Sequence, residues 1–204
     1  MVRVKVCGIT RIEDLKAVAS LGADAIGLIT GFPKSPRNIS IERAKELRRS
    51  ALPFLDVVLV VDSSDLEFLV KAVQKIEPDA VQAYGSPNPK VLKELGVKWI
   101  IKPIDPKIFQ QVDAEGFDAI LLDSSMGRGV MADLSLCKNI REKVNLPVIL
   151  AGGLSPENVQ YAIKAVKPYG VDVSSGVESS PGVKDPEKLK LFIRNVREVD
   201  LGEV

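Results

Sequence analysis

The sequence predicts a (β/α)8 barrel, an α/β TIM-barrel fold of eight parallel strands in compact form with minimal insertions, and three observations predict it. Short β-branched runs alternate with longer amphipathic segments eight times without a break in the order. Each β-then-α unit spans roughly 25 residues, the compact end for this fold. No Pro/Gly/Ser-rich linker divides the 204 residues, so the chain reads as one domain over residues 1–204. Strict alternation implies a parallel sheet with right-handed crossovers. An open doubly wound sheet also satisfies that pattern, but eight units favour closure.

The first strand is expected over 2–7, where Val2, Val4 and Val6 alternate with Arg3, Lys5 and Cys7. A helix over 12–21 follows and stops at Gly22. Strand 23–29 leads to a helix over 41–50, with Ser40 as N-cap and Arg43 three residues on. Strand 54–61 precedes a helix over 65–76, and strand 80–82 a helix over 89–95 closed by Gly96. Strands 97–102 and 117–123 are followed by helices over 107–112 and 132–140. Strand 147–151 leads to a helix over 156–166, with Ser155 as cap and Pro156 at its first position. Strand 169–174 and a helix over 186–199 complete the set.

Composition narrows the chemistry. The chain is 46% hydrophobic and 27% charged, ordinary for a globular protein able to bury a full core. Lys+Arg number 28 against 27 Asp+Glu, so no net field recruits nucleic acid or anionic lipid. The longest apolar run, 57–61, is far too short to span a bilayer. The N-terminus alternates like a strand and lacks a signal-peptide core. A cytoplasmic protein without nucleic-acid or membrane partners is expected, as monomer or homodimer. Cys7 and Cys137 are far apart and outside any CxxC pair, which argues against a disulfide framework or zinc ribbon. Histidine is absent, which removes Ser-His-Asp and Cys-His catalysis and HExxH zinc sites. Any acid–base chemistry falls to Asp, Glu, Cys, Lys or Tyr, and no metal is expected.

In such a barrel the active face lies at the C-terminal ends of the strands. If the valines of the first strand face the helices, Cys7 points into the mouth. There it reads either as a small buried hydrophobe, the usual fate of a free cysteine, or as a proton carrier. Lys5, one pleat below, is a candidate to stabilise its thiolate. Cys137 reads as a packed helix residue. Asp123 ends the buried run Ile120-Leu121-Leu122; a carboxylate there is costly unless solvated, paired or used, and suits a general acid or a cap for the next loop. Asp172 faces the barrel with Ser174, beside the first strand, as an ion-pair partner of Lys5 or a contact to substrate hydroxyls. Gly152-Gly153 after strand seven, with Ser175-Gly176 after strand eight, fall where these barrels bind phosphate. A tight turn alone would also want either pair. Arg37, in a loop stiffened by Pro33 and Pro36, can offer a bidentate fork to a carboxylate, although a solvated surface arginine is the commoner case.

These positions fall on a pattern. Val4-Lys5-Val6-Cys7-Gly8-Ile9-Thr10 resembles the opening motif of the phosphoribosylanthranilate isomerases of the tryptophan pathway. The similarity continues through Gly22-Ala23-Asp24-Ala25-Ile26-Gly27, Lys34-Ser35-Pro36-Arg37, Leu121-Leu122-Asp123-Ser124, the stretch from Leu150 to Val159, and that from Gly170 to Glu178. The resemblance implies an Amadori rearrangement with Cys7 as general base and Asp123 as general acid. It further implies Arg37 on the anthranilate carboxylate, Asp172 near the sugar hydroxyls, and Gly152, Gly153, Ser174, Ser175 and Gly176 in the phosphate loops. The substrate would be a phosphorylated small molecule and no cofactor would be needed. Three stretches depart from the family pattern: Tyr84 stands where histidine is common, Thr30-Gly31-Phe32 replaces a more aromatic stretch, and Gly127 to Leu134 replaces a Gly/Thr loop leading into Phe-Asp-Trp. The alternatives are an indole-glycerol-phosphate synthase-like barrel, a pyridoxal-phosphate barrel using Lys5, and a barrel that binds a sugar phosphate without turnover.

Overall fold

A computed structural model describes residues 1–85, 87–109, 114–123 and 132–201. Eight parallel strands close into a barrel in chain order: β1 (Arg3–Cys7), β2 (Ala25–Thr30), β3 (Asp56–Asp62), β4 (Ala80–Tyr84), β5 (Trp99–Ile104), β6 (Ala119–Asp123), β7 (Val148–Ala151) and β8 (Gly170–Val173). The ring closes where β1 pairs with β8, with Lys5 beside Asp172. The connecting helices are α1 (Ile12–Ser20), α2 (Ile41–Ser50), α3 (Leu66–Ile76), α4 (Pro89–Glu94), α5 (Leu134–Lys143), α6 (Val159–Val166) and α7 (Pro186–Leu201). Among the described residues no helix is long and apolar enough to cross a membrane.

Period-two alternation divides the barrel's apolar residues into two layers. Val4, Val6, Ile26, Leu28, Val57, Leu59 and Val61 face outward into a continuous core with the helices. Fully burying each such side chain contributes about 1.5–3 kcal/mol. Val58, Ala80, Ile101, Leu121 and Ala151 face inward and plug the barrel below its mouth. The valines of β1 thus face the helices, as their spacing predicts.

Four strands, β2, β3, β5 and β6, begin two residues later than hydrophobicity suggests, and an aspartate accounts for two of them, β2 and β6; the same device precedes β4, which starts at Ala80 as expected. Asp24, Asp79 and Asp118 immediately precede β2, β4 and β6. Each accepts a hydrogen bond at 2.8 Å from a backbone N–H at the start of the preceding strand, on Val4, Val57 and Ile100 respectively. The carboxylate therefore ends the preceding loop and staples two strand starts together. Ser40 caps α2 through Arg43 N–H at 3.1 Å, as expected.

Three helices differ from expectation. The one expected over 132–140 runs Leu134–Lys143, because the Asp133 side chain caps it by accepting from Ser135 and Leu136 N–H. Within 107–112, the described part is a 3-10 turn, Pro106–Ile108, after which Phe109 is extended; residues 110–113 lie outside the described residues. The helix expected from 156 begins at Val159 without Ser155 as its cap. Asn158 is the reason: its side chain accepts from Ser155 N–H at 2.9 Å and donates to the Gly153 carbonyl at 2.8 Å, holding the loop in turns. A feature not anticipated follows β8: a 3-10 turn, Ser175–Val177, then a small antiparallel hairpin of β9 (Glu178–Ser180) and β10 (Val183–Lys184).

Candidate active site

The C-terminal strand ends surround a cavity of about 560 Å³ whose lining includes Cys7, Arg37, Gln82, Tyr84, Asp123, Gly152, Gly153, Asp172, Ser174 and Ser175. Cys7 is the last residue of β1 and Asp123 the last of β6, three strands away around the shorter arc. They reach the cavity from different walls.

Cys7 is 6% exposed, enough to meet the cavity but not bulk water. One pleat below it, Lys5 Nζ lies 3.0 Å from Asp172 Oδ2, the pairing anticipated from strand adjacency. Burial works against the Lys5 charge, yet the neighbouring carboxylate outweighs it and keeps the ammonium above its ordinary pKa. Burial pushes the Cys7 thiol up, and the Lys5 ammonium offsets this only in part. The lysine therefore does help the thiolate, as expected, but burial wins. Alkylation of Cys7 by iodoacetamide should rise about tenfold per pH unit through neutrality and level off above ~8.5, the ordinary cysteine value. Peptide mapping against pH measures this; a midpoint at or below the ordinary value contradicts it. Asp172 Oδ1 and Ser174 Oγ are buried without a hydrogen-bond partner among the described residues, a costly state that ligand hydroxyls would relieve.

Asp123 is 8% exposed. The Tyr84 hydroxyl donates to its Oδ2 at 3.4 Å, while Gln82 Nε2 donates to the Tyr84 oxygen at 3.2 Å. Because the amide N–H2 only donates, the phenolic proton is directed to the carboxylate. Burial, reinforced by the Asp123 charge, drives the Tyr84 pKa upward and keeps that proton in place. The Phe32 ring meets Tyr84 edge-on at 5.6 Å. Phe32 and Tyr84 thus touch each other beside the carboxylate.

Arg37 is not the solvated surface residue that base frequencies favour. Its Nε and Nη2 donate to Glu178 Oε1 and Oε2 at 2.8 and 2.6 Å, a side-on bidentate pair. A guanidinium carries five N–H donors in two forks. Glu178 occupies the side-on fork, and the end-on fork of Nη1 and Nη2 is the edge able to take a planar carboxylate. Glu178 in turn accepts from Lys184 Nζ at 2.8 Å. Although burial opposes its charge, hydrogen bonds from Arg37 and Lys184 hold the Glu178 carboxyl below its usual range. Sequence reasoning assigned no role to Glu178, Lys184 or Gln82. The Pro181-Gly182 turn was a usable signal for the hairpin that delivers Glu178 and Lys184.

The glycine loops form one wall. Gly152 and Gly153 have φ of 91° and 63°, the left-handed region that glycine enters without strain. A Cβ on Gly176 would lie 1.9 Å from the Leu154 carbonyl oxygen, so the turn after β8 packs backbone-to-backbone on the loop after β7. Gly152, Gly153, Ser174 and Ser175 line the cavity, whereas Gly176 brings their loops together. Ser124, Ser125 and the loop through Gly127, Arg128 and Gly129 lie outside the described residues. Among the described residues no group of three or more Cys, Asp or Glu is arranged to hold a metal ion.

Residues 4–195 match the family model described as N-(5'phosphoribosyl)anthranilate (PRA) isomerase. The chain belongs to the N-(5'-phosphoribosyl)anthranilate isomerase family. A relative from Methanocella arvoryzae, named N-(5'-phosphoribosyl)anthranilate isomerase, is 43% identical over 211 residues, covering 97% of this chain and 99% of that one. Among solved structures, a phosphoribosylanthranilate isomerase in complex with reduced 1-(o-carboxyphenylamino)-1-deoxyribulose 5-phosphate is 35% identical, with a TM-score of 0.80 over 97% of this chain and 100% of that one. The dimeric isomerase of Thermotoga maritima, crystallised as mutually generated monomers, is also 35% identical, with a TM-score of 0.81 and the same coverage. Family membership accords with the resemblance drawn from the motifs. The Tyr84 hydroxyl is the cavity group that meets Asp123.

Proposed function

We propose that the chain converts N-(5'-phosphoribosyl)anthranilate to 1-(2-carboxyphenylamino)-1-deoxyribulose 5-phosphate, an Amadori rearrangement of tryptophan biosynthesis. The observation that carries this reading is that the chain matches the isomerase family along nearly its whole length while a thiol and a carboxyl at separate strand ends line one cavity.

In this reading the glycine wall around Gly152, Gly153, Ser174 and Ser175 takes the phosphate, and the end-on fork of Arg37 takes the anthranilate carboxylate. Asp172 and Ser174 meet the sugar hydroxyls. Asp123 gives its proton to the ribose ring oxygen as the C1′–O bond breaks. The anthranilate nitrogen supplies its lone pair to form C1′=N. Cys7 thiolate then removes the C2′ proton; those electrons form C1′=C2′ and neutralise the nitrogen. Protonation of C1′ and loss of the C2′ hydroxyl proton give the aminoketose. The atoms balance as an isomerisation, and the reading assigns no cofactor. The test is incubation of the purified chain with phosphoribosylanthranilate and chromatography of the product. Formation of the aminoketose supports the reading; unchanged substrate would sink it.

In this reading the chain works in the cytoplasm, in keeping with a biosynthetic role of this kind. We further read its assembly as a homodimer. Phe54, fully exposed in a left-handed conformation, and Leu52, more than half exposed, precede β3 at the barrel end opposite the cavity. A second copy is the natural cover for them, in keeping with the dimeric Thermotoga maritima relative. Light scattering should give twice the chain mass for the native protein and the single-chain mass for Phe54→Glu. A native protein that runs as a monomer refutes this assignment.

A further inference from the structure

The hairpin after β8 brings a buried lysine beneath the cavity, where the proposed reaction has no direct use for it. Lys184 is 3% exposed, and its Nζ donates to the Cys7 carbonyl at 2.7 Å, to Glu178 Oε1 at 2.8 Å and to the Ser174 carbonyl at 3.2 Å. Its backbone is anchored as well, with the Lys184 N–H donating to Asp14 of α1 at 3.1 Å. Glu178 uses both carboxylate oxygens on Arg37 while sharing one with Lys184. Burying three charges together is expensive, and a hydrophobic substitute of similar shape is often as stable. A stability role alone does not account for where these three charges sit.

We propose that Lys184 and Glu178 are positioning residues: one buried ammonium ties the backbone that carries Cys7 to the carboxylate that aims Arg37, so base and carboxylate clamp are set by a single ion. This deepens the isomerase reading and rests on it for the role of Arg37. Glu178 fixes the side-on fork and thereby orients the end-on fork toward a planar carboxylate on the ligand. Lys184 holds Glu178 in place and adds positive charge near the Cys7 sulfur. The other titratable groups acting on that sulfur are Lys5, Asp172, Arg37 and Tyr84.

Two measurements test the proposal. In the first, binding of the reduced product analogue is compared with binding of its counterpart lacking the ring carboxylate, in native protein and in Glu178→Gln. Gln keeps the shape but turns an N–H2 toward the guanidinium. The variant should lose roughly 10- to 100-fold in affinity for the carboxylate ligand and less than about twofold for the other. Equal losses on both ligands, or no loss on either, would overturn the role of Glu178. In the second, the pH midpoint of Cys7 alkylation is compared in native protein and Lys184→Met. The midpoint should rise by roughly half a unit or more, and an unchanged midpoint overturns the link to Cys7. Should Lys184→Met fail to fold, the Glu178→Gln comparison decides the proposal. If the native protein binds neither ligand, the isomerase reading itself fails, and the alkylation midpoint still decides the role of Lys184.

Discussion

Cys7→Ser lowers kcat by roughly 10²–10⁴-fold, the loss expected when a general base is removed. A serine hydroxyl has nearly the same shape, so the phosphate wall and the Arg37 fork stay in place and KM changes little. What disappears is a group able to hold a negative charge at accessible pH. The thiol is already pushed up by burial, and an alcohol in that position would be far out of range. Steady-state kinetics and a thermal melt on the same preparation measure the effect. Near-native turnover in Cys7→Ser, with an unchanged melt, would remove Cys7 from the proton path.

Asp123→Asn has a comparable effect, roughly 10²–10⁴-fold on kcat. The amide is isosteric and its oxygen can still accept from the Tyr84 hydroxyl, which in the native protein donates to Oδ2 at 3.4 Å. The wall of the cavity therefore survives while the dissociable proton does not. Ring opening then lacks its acid, and unopened substrate accumulates on the enzyme. Because both groups act in one sequence, the double variant should be only slightly slower than either single one. Fully multiplicative losses, or an active Asp123→Asn protein, contradict the assignment.

Much of this site was legible in the sequence because strands impose a period of two. The alternation in β1 pointed Lys5 and Cys7 inward, and the chain-order barrel set Asp172 beside Lys5 at 3.0 Å. The placement of Asp123 followed from the end of an apolar run. The rest depends on partners far away in the chain. The Arg37–Glu178 pair joins residues 141 apart, and Lys184 reaches the Cys7 carbonyl across 177 residues. No local pattern encodes such contacts. Tyr84 was missed as a site residue because β4 was expected to stop at Gln82; two further residues of strand carry the alternation on and turn Tyr84 inward with Gln82. The late start of α6 is a local competition: the Asn158 side chain offers the loop better partners than an earlier helical turn would.

The most direct measurement is a crystal structure of this chain with the reduced product analogue bound. The Cys7 sulfur should lie within about 4 Å of C2′ and the Asp123 carboxyl within hydrogen-bond reach of O4′, near-attack distances for the two proton transfers. A ligand seated in the same cavity with C2′ turned away from β1 would contradict the account, because no other part of the proposed path replaces that sulfur.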